Sequence, residues 1–77
     1  MNEFKRLKKL LSENLLLDEK ALSPELTLED LGMDSLTLLE LVIAVEEEFG
    51  ITIYDDEMSE IKTLGELADL VMVKLNE

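Results

Sequence analysis

The sequence predicts an all-α fold: a small four-helix bundle with three main helices, a short third helix, and a long loop between the first and second. Three observations carry this reading. Apolar residues recur at helical spacing in separated segments. Residues that start and stop helices flank those segments. The one extended stretch, "ITIY" at residues 51–54, is too short to support a sheet. A chain of 77 residues is expected to form one domain, 1–77, and to bury only a modest share of its surface. It has no Cys and no His, so neither a disulfide nor a Cys/His metal site can staple it. The core must come from aliphatic packing, and hydrophobic residues make up 47% of the chain.

The first helix is expected from about Asn2 to Leu15. Phe4, Leu7, Leu11 and Leu15 repeat at helical spacing with Leu10 beside them, and Lys5, Arg6, Lys9 and Glu13 fall on the outer face. A long connection then runs from Leu16 to Asp34. In it, Ser23 and Pro24 of "SPEL" suit a short turn, and Leu22, Leu26, Leu28 and Leu31 are apolar anchors. Gly32 permits a sharp turn, Asp34 suits an N-cap, and a second helix follows from Ser35 to about Phe49, stopped by Gly50. A brief third helix is expected over about Asp56 to Ile61, capped by Asp55 or Asp56. The fourth opens with the capping box Thr63-Leu64-Gly65-Glu66. Leu64, Leu67, Ala68, Val71, Met72 and Leu75 mark its apolar face.

Nineteen acidic residues against seven basic ones give a net charge of −12. That balance argues against nucleic acid, which demands a cationic face, and favours basic protein surfaces as partners. Lys5, Arg6, Lys8 and Lys9 cluster near the start, yet no basic residue occurs between Ala21 and Ile61. The opening "MNEFKRLKKLL", starting at Met1, is charged throughout. No signal peptide, transit peptide or membrane span is expected, and the lack of Cys is compatible with the cytoplasm.

The second helix has two apolar faces. At about 100° per residue, Leu38, Leu41, Val42, Val45 and Phe49 share one side, the expected core face. Leu36 and Ile43 point almost oppositely, with Leu39 between the faces and Glu40 and Glu47 alongside. Scattered exposed aliphatics are ordinary. These two, however, lie on one line starting beside Ser35, which points to a small docking face edged by acids.

Ser35 is not expected to be catalytic: no His is available as a base, no Gly-x-Ser-x-Gly elbow is present, and the lysines, formally possible bases, all lie far along the sequence. It could simply cap the helix, but Asp34 already suits that task. Ser35 then falls in the first helical turn with its hydroxyl facing solvent. A phosphate ester there would sit at the positive end of the helix dipole.

These residues resemble the acyl carrier protein family. The resemblance is carried by "LGMDSLTLLELVIAVEEEFGITI", with the Asp34-Ser35-Leu36 signature after Leu-Gly and before Glu-Leu and an acidic run ending in Phe. It extends over essentially the whole chain. It implies that Ser35, with Asp34 beside it, is the attachment site for 4′-phosphopantetheine, installed covalently from coenzyme A by a phosphopantetheinyl transferase. The arm's thiol would hold acyl groups as thioesters. The working thiol would thus be borrowed, and the protein itself would be a carrier rather than an enzyme, with no catalytic residue and no metal. Leu36, Glu40, Ile43 and Glu47 map onto the family's partner-recognition helix, for acyl-transferring and synthase enzymes with basic docking surfaces. Leu38, Leu39, Val42, Val45, Ile53, Ile61 and Ala68 map where the family wraps an acyl chain, with plain core packing as their role at least part of the time.

The resemblance further implies a cytoplasmic monomer serving fatty acid or related lipid or polyketide biosynthesis. Thr37, Leu38, Tyr54 and Thr27 depart from the common family pattern and leave a specialised carrier, including one for aminoacyl groups, as an alternative. From the residues alone, a cofactor-free acidic helical adaptor with a basic partner is the other reading. Only the carrier needs the Ser35 hydroxyl.

Overall fold

A computed structural model describes residues 2–15 and 17–76; Leu16, where the long loop is expected to begin, lies outside the described residues. The helices are α1 (Asn2–Leu15), α2 (Ser35–Phe49), α3 (Asp55–Ser59) and α4 (Leu64–Leu75). Among the described residues there is no strand, only an isolated bridge between Thr27 and Thr63. The helical bundle read from the sequence is therefore present, with the bounds of α1 and α2 as expected.

Helix α1 packs against both α2 and α4. Leu7 and Leu11 are fully buried, with Phe4, Leu10 and Leu15 packed around the core. On the opposite side Lys5, Arg6, Lys9 and Glu13 are exposed, as an amphipathic helix requires. Arg6 reaches the far end of α2. Its guanidinium lies 3.3 Å from the Glu48 carboxylate and 4.4 Å from the Phe49 ring centroid.

The long loop is well tied. Leu22 and Leu28 are buried, and Leu26 and Leu31 are half-buried. A turn at Pro24 is closed by Leu26 N–H donating to the Ser23 carbonyl at 3.1 Å. Three backbone bonds then fasten the loop to the start of α4: Leu28 N–H to Lys62 O (2.9 Å), Leu64 N–H to Leu26 O (3.0 Å) and Gly65 N–H to Pro24 O (2.9 Å). Two 3-10 turns, Glu19–Ala21 and Glu29–Leu31, have no counterpart in the sequence reading; three residues are too few to show periodicity. Thr27 and Asp30 cap the second turn reciprocally. Asp30 N–H donates to Thr27 Oγ1 at 3.0 Å, and Thr27 N–H donates to Asp30 Oδ2 at 3.3 Å.

Gly32 (φ 68°) and Gly50 (φ 66°) adopt the left-handed conformation that favours glycine, the first leading into α2 and the second ending it. Glu46 then organises the exit. Its carbonyl accepts from Gly50 N–H (2.8 Å), and its carboxylate accepts from Ile53 N–H (2.8 Å).

Two expectations are corrected. Helix α3 is Asp55–Ser59, not Asp56 to Ile61, and neither Asp55 nor Asp56 caps it. Tyr54 holds the cap position, and Glu57 reaches back to accept from Tyr54 N–H at 3.0 Å. The same carboxylate lies 2.9 Å from Lys74 Nζ on α4, so the back-reaching acid also anchors the helix. On α4, Leu64, Leu67, Ala68 and Val71 are buried as expected and Met72 is half-buried, but Leu75, the last residue of the helix, is 41% exposed. The capping box is formed as read: Glu66 N–H donates to Thr63 Oγ1 (3.1 Å), and Thr63 N–H donates to Glu66 Oε1 (3.0 Å).

Candidate functional site

The first turn of α2 fixes the site. Asp34 precedes the helix in an extended conformation, and its Oδ1 accepts from Thr37 N–H at 2.8 Å. That bond first, then one from the Thr37 hydroxyl, holds the Asp34 carboxyl below its ordinary value of 3.8. With Asp34 occupied in capping, Ser35 is the first helical residue and is exposed, and its hydroxyl has no hydrogen-bond partner among the described residues. Two of the other three serines differ: Ser12 Oγ donates to Lys9 O at 2.9 Å and Ser59 Oγ to Asp56 O at 2.8 Å.

Ser35 stands at one edge of a groove of about 430 Å³. Leu38, Leu39 and Val42 form its α2 wall, and Asp55, Met58 and Ser59 form its α3 wall. The lining is therefore mainly apolar next to a free hydroxyl at a helix N-terminus. Such an arrangement has the chemistry to hold an anionic ester at one end and a short apolar group at the other.

The residues read from the sequence as an acyl pocket divide into three groups. Leu38, Leu39 and Val42 line the groove. Val45, Ile53 and Ala68 lie in the closed core, at 0%, 6% and 0% exposure, and Ile61 lines a separate depression with Thr27, Leu28, Glu29 and Lys62. Sequence reasoning missed Asp55, Met58 and Ser59, which reach the groove because α3 faces α2 across it. The i, i+3, i+4 spacing of these three on one helix face is the signal that was available.

The second face of α2 is open. Leu36, Leu39 and Ile43 are 64%, 54% and 45% exposed, and Glu40 and Glu47 are exposed as well. Leu41, Val45 and Phe49 are buried on the opposite side. Leu39 thus belongs both to the groove wall and to the exposed apolar surface. Among the described residues no helix is long and apolar enough to cross a membrane.

Comparison with known proteins shows the family. A family model described as "Phosphopantetheine attachment site" matches residues 5–71. The chain is 38% identical over 73 residues to an acyl carrier protein of Thermotoga maritima, covering 94% of this chain and 90% of that one. It is also 38% identical over 74 residues to an acyl carrier protein of Petrotoga mobilis, covering 95% and 87%. A crystal structure of an acyl carrier protein from Thermotoga maritima matches the fold with a TM-score of 0.81 at 33% identity, covering 96% of this chain and 92% of that chain. The chain belongs to the acyl carrier protein family, and its cofactor is phosphopantetheine.

Proposed function

We infer that Ser35 carries 4′-phosphopantetheine as a phosphodiester and that the whole of 1–77 acts as one carrier domain. The observation that carries this reading is the free, exposed Ser35 hydroxyl at the edge of an apolar groove, on a helix capped independently by Asp34. When bound, the arm supplies a thiol on which an acyl group is held as a thioester. The protein's own residues do the rest. Asp34 fixes the helix start and leaves the serine free. The α2 N-terminus favours the negative charge of the ester. Leu38, Leu39, Val42 and Met58 offer apolar surface near the attachment point.

On this reading the chain performs no catalysis. Leu36, Ile43, Glu40 and Glu47 present a small apolar contact edged by carboxylates to partner enzymes with basic surfaces: the phosphopantetheinyl transferase first, then acyl-transferring and synthase enzymes. Such an interface is weak and salt-sensitive, which suits serial exchange between enzymes. We place the protein in the cytoplasm as a monomer, serving fatty acid or related lipid or polyketide synthesis. The departures at Thr27, Thr37, Leu38 and Tyr54 keep a specialised carrier, aminoacyl groups included, as the second reading.

The test is peptide mapping after incubation with coenzyme A and a broad-specificity phosphopantetheinyl transferase. The added mass is expected on the peptide containing Ser35. Modification of a peptide containing Ser12, Ser23 or Ser59 instead would overturn the assignment, and so would no modification at all.

A further inference from the structure

Met58 is the one groove-lining residue that also belongs to the closed core. Ser35, Leu39, Asp55 and Ser59 are exposed and Leu38 and Val42 are half-buried, whereas Met58 is 9% exposed and belongs to the same buried core cluster as Val45, Ile53 and Ala68. Its side chain therefore stands between the groove and the deeper apolar interior. The rest of the α3 wall is pinned. Glu57 binds Lys74 Nζ at 2.9 Å and Tyr54 N–H at 3.0 Å, and the segment leading into α3 is tied to α2 through Ile53 N–H and Glu46 at 2.8 Å. With the backbone held at both places, a side-chain rotation is the cheapest way to deepen the groove. Methionine, unbranched and with three rotatable side-chain bonds, is suited to that motion.

We propose that Met58 sets the length of acyl chain the protein shelters: short chains rest in the groove, and longer ones are covered only when Met58 swings out of their path. The inference rests on Ser35 being the attachment site and adds a specificity determinant to it. A chain that outgrows the groove faces two alternatives. It leaves its end in water, or it displaces Met58 and enters core space that close packing otherwise fills. Truncating residue 58 removes the partition and leaves apolar space on its far side.

The experiment loads wild type, Met58→Ala and Met58→Val with butanoyl, hexanoyl, octanoyl, decanoyl and tetradecanoyl arms, using the acyl-coenzyme A of each length and a phosphopantetheinyl transferase. Intact mass confirms loading, and thermal melts confirm cooperative folding. Cleavage of each thioester by hydroxylamine then reports shelter as a slower rate. In wild type the protection is expected to rise through the shorter chains and then level off. In Met58→Ala it is expected to keep rising to longer chains, with several-fold slower cleavage of the longest, while the butanoyl rates agree. Met58→Val, which keeps more of the core filled, is expected to shift the same way by less and takes the place of the alanine variant if that one does not fold. Identical length profiles in wild type and a folded, fully loaded variant would overturn the role of Met58 and leave the Ser35 assignment standing. Failure to load wild type at all would overturn both.

Discussion

Asp34 Oδ1 accepts a hydrogen bond from Thr37 N–H at 2.8 Å, and this bond frees Ser35 from capping α2. The cap needs an acceptor at residue 34, and the carboxylate's charge strengthens it. Asp34→Asn is therefore expected to keep α2 and most of the stability. Asp34→Ala is expected to lower the melting temperature and fray the first turn, where Ser35 sits. Circular dichroism melts of the two variants distinguish these outcomes; equal loss in both would mean that the charge, not the bond, matters.

Acid acts on this fold in two opposing directions. The Asp34, Glu57 and Glu66 carboxyls lie below their ordinary values of 3.8, 4.5 and 4.5, chiefly through bonds from the backbone N–H groups of Thr37, Tyr54 and Lys62 respectively. A folded-state pKa below the unfolded one means stability that is present above the unfolded value and lost as pH falls through the folded value. Mutual repulsion within a chain of net charge −12 has the opposite sign, since protonation relieves it. The melting temperature is thus expected to rise on mild acidification from neutrality and to fall once the pH drops below those ordinary values. Asp34→Asn and Glu66→Gln are expected to blunt the fall. A steady decline beginning near neutrality would contradict this balance.

Added salt is expected to stabilise the domain. Twelve acids lie between residues 21 and 61 with no base among them. Two of the twelve form ion pairs among the described residues, Glu48 with Arg6 and Glu57 with Lys74. The first pair is about half exposed on both sides and contributes little. Screening should relieve more repulsion than it removes attraction, so melting temperature should climb across a salt series at constant pH. A flat or falling series would show the acids to be better paired than this.

Gly65 is held against Pro24. A Cβ at residue 65 would lie 3.1 Å from the Pro24 carbonyl oxygen and 3.2 Å from its Cβ, beside the bond that Gly65 N–H makes to that oxygen. Alanine gains up to about 1 kcal/mol of helix propensity in an interior position, but less in the first turn, where residue 65 lies. Gly65→Ala is therefore expected to be less stable than wild type. Thr63→Ala, which removes one half of the neighbouring capping box, is expected to cost about 1 kcal/mol, or about 4–8 °C in a domain of this size. A stabilised Gly65→Ala would show that the Pro24 turn gives way freely.

The docking face and the core face of α2 are separable by mutation. Ile43→Ala and Glu40→Lys are expected to change stability by about 0.5 kcal/mol or less, as exposed substitutions usually do, while slowing modification by the transferase. Leu41 is 2% exposed, and Leu41→Ala is expected to cost about 2–5 kcal/mol. Chemical denaturation paired with transferase kinetics separates the two. An unfolded Ile43→Ala would place that residue in the core.

What could be read in the sequence was local. Thr63 and Glu66 announce their capping box by spacing, Gly32 and Gly50 mark turns by their lack of a side chain, and the two faces of α2 follow from its helical period. The cap of α3 was harder to read because Asp55 and Asp56 are both good capping residues, yet Glu57 forms the bond to Tyr54 N–H while pairing with Lys74 seventeen residues on (74 − 57). The groove was half legible. Its α2 wall shares one helix with Ser35, whereas Met58, Asp55 and Ser59 share a face of α3 by their spacing but join the groove only through where α3 sits, which spacing does not encode. For the same reason Val45, Ile53 and Ala68, read as pocket residues, lie in the closed core.

The central claim is that the Ser35 hydroxyl is the point of attachment, and intact mass tests it most directly. Wild type and the four single variants Ser12→Ala, Ser23→Ala, Ser35→Ala and Ser59→Ala, one for each serine in the chain, are incubated with coenzyme A and a phosphopantetheinyl transferase. Wild type and three of the variants are expected to gain one phosphopantetheine each, and Ser35→Ala none while remaining folded. A folded Ser35→Ala that gains the same mass as wild type would contradict the account.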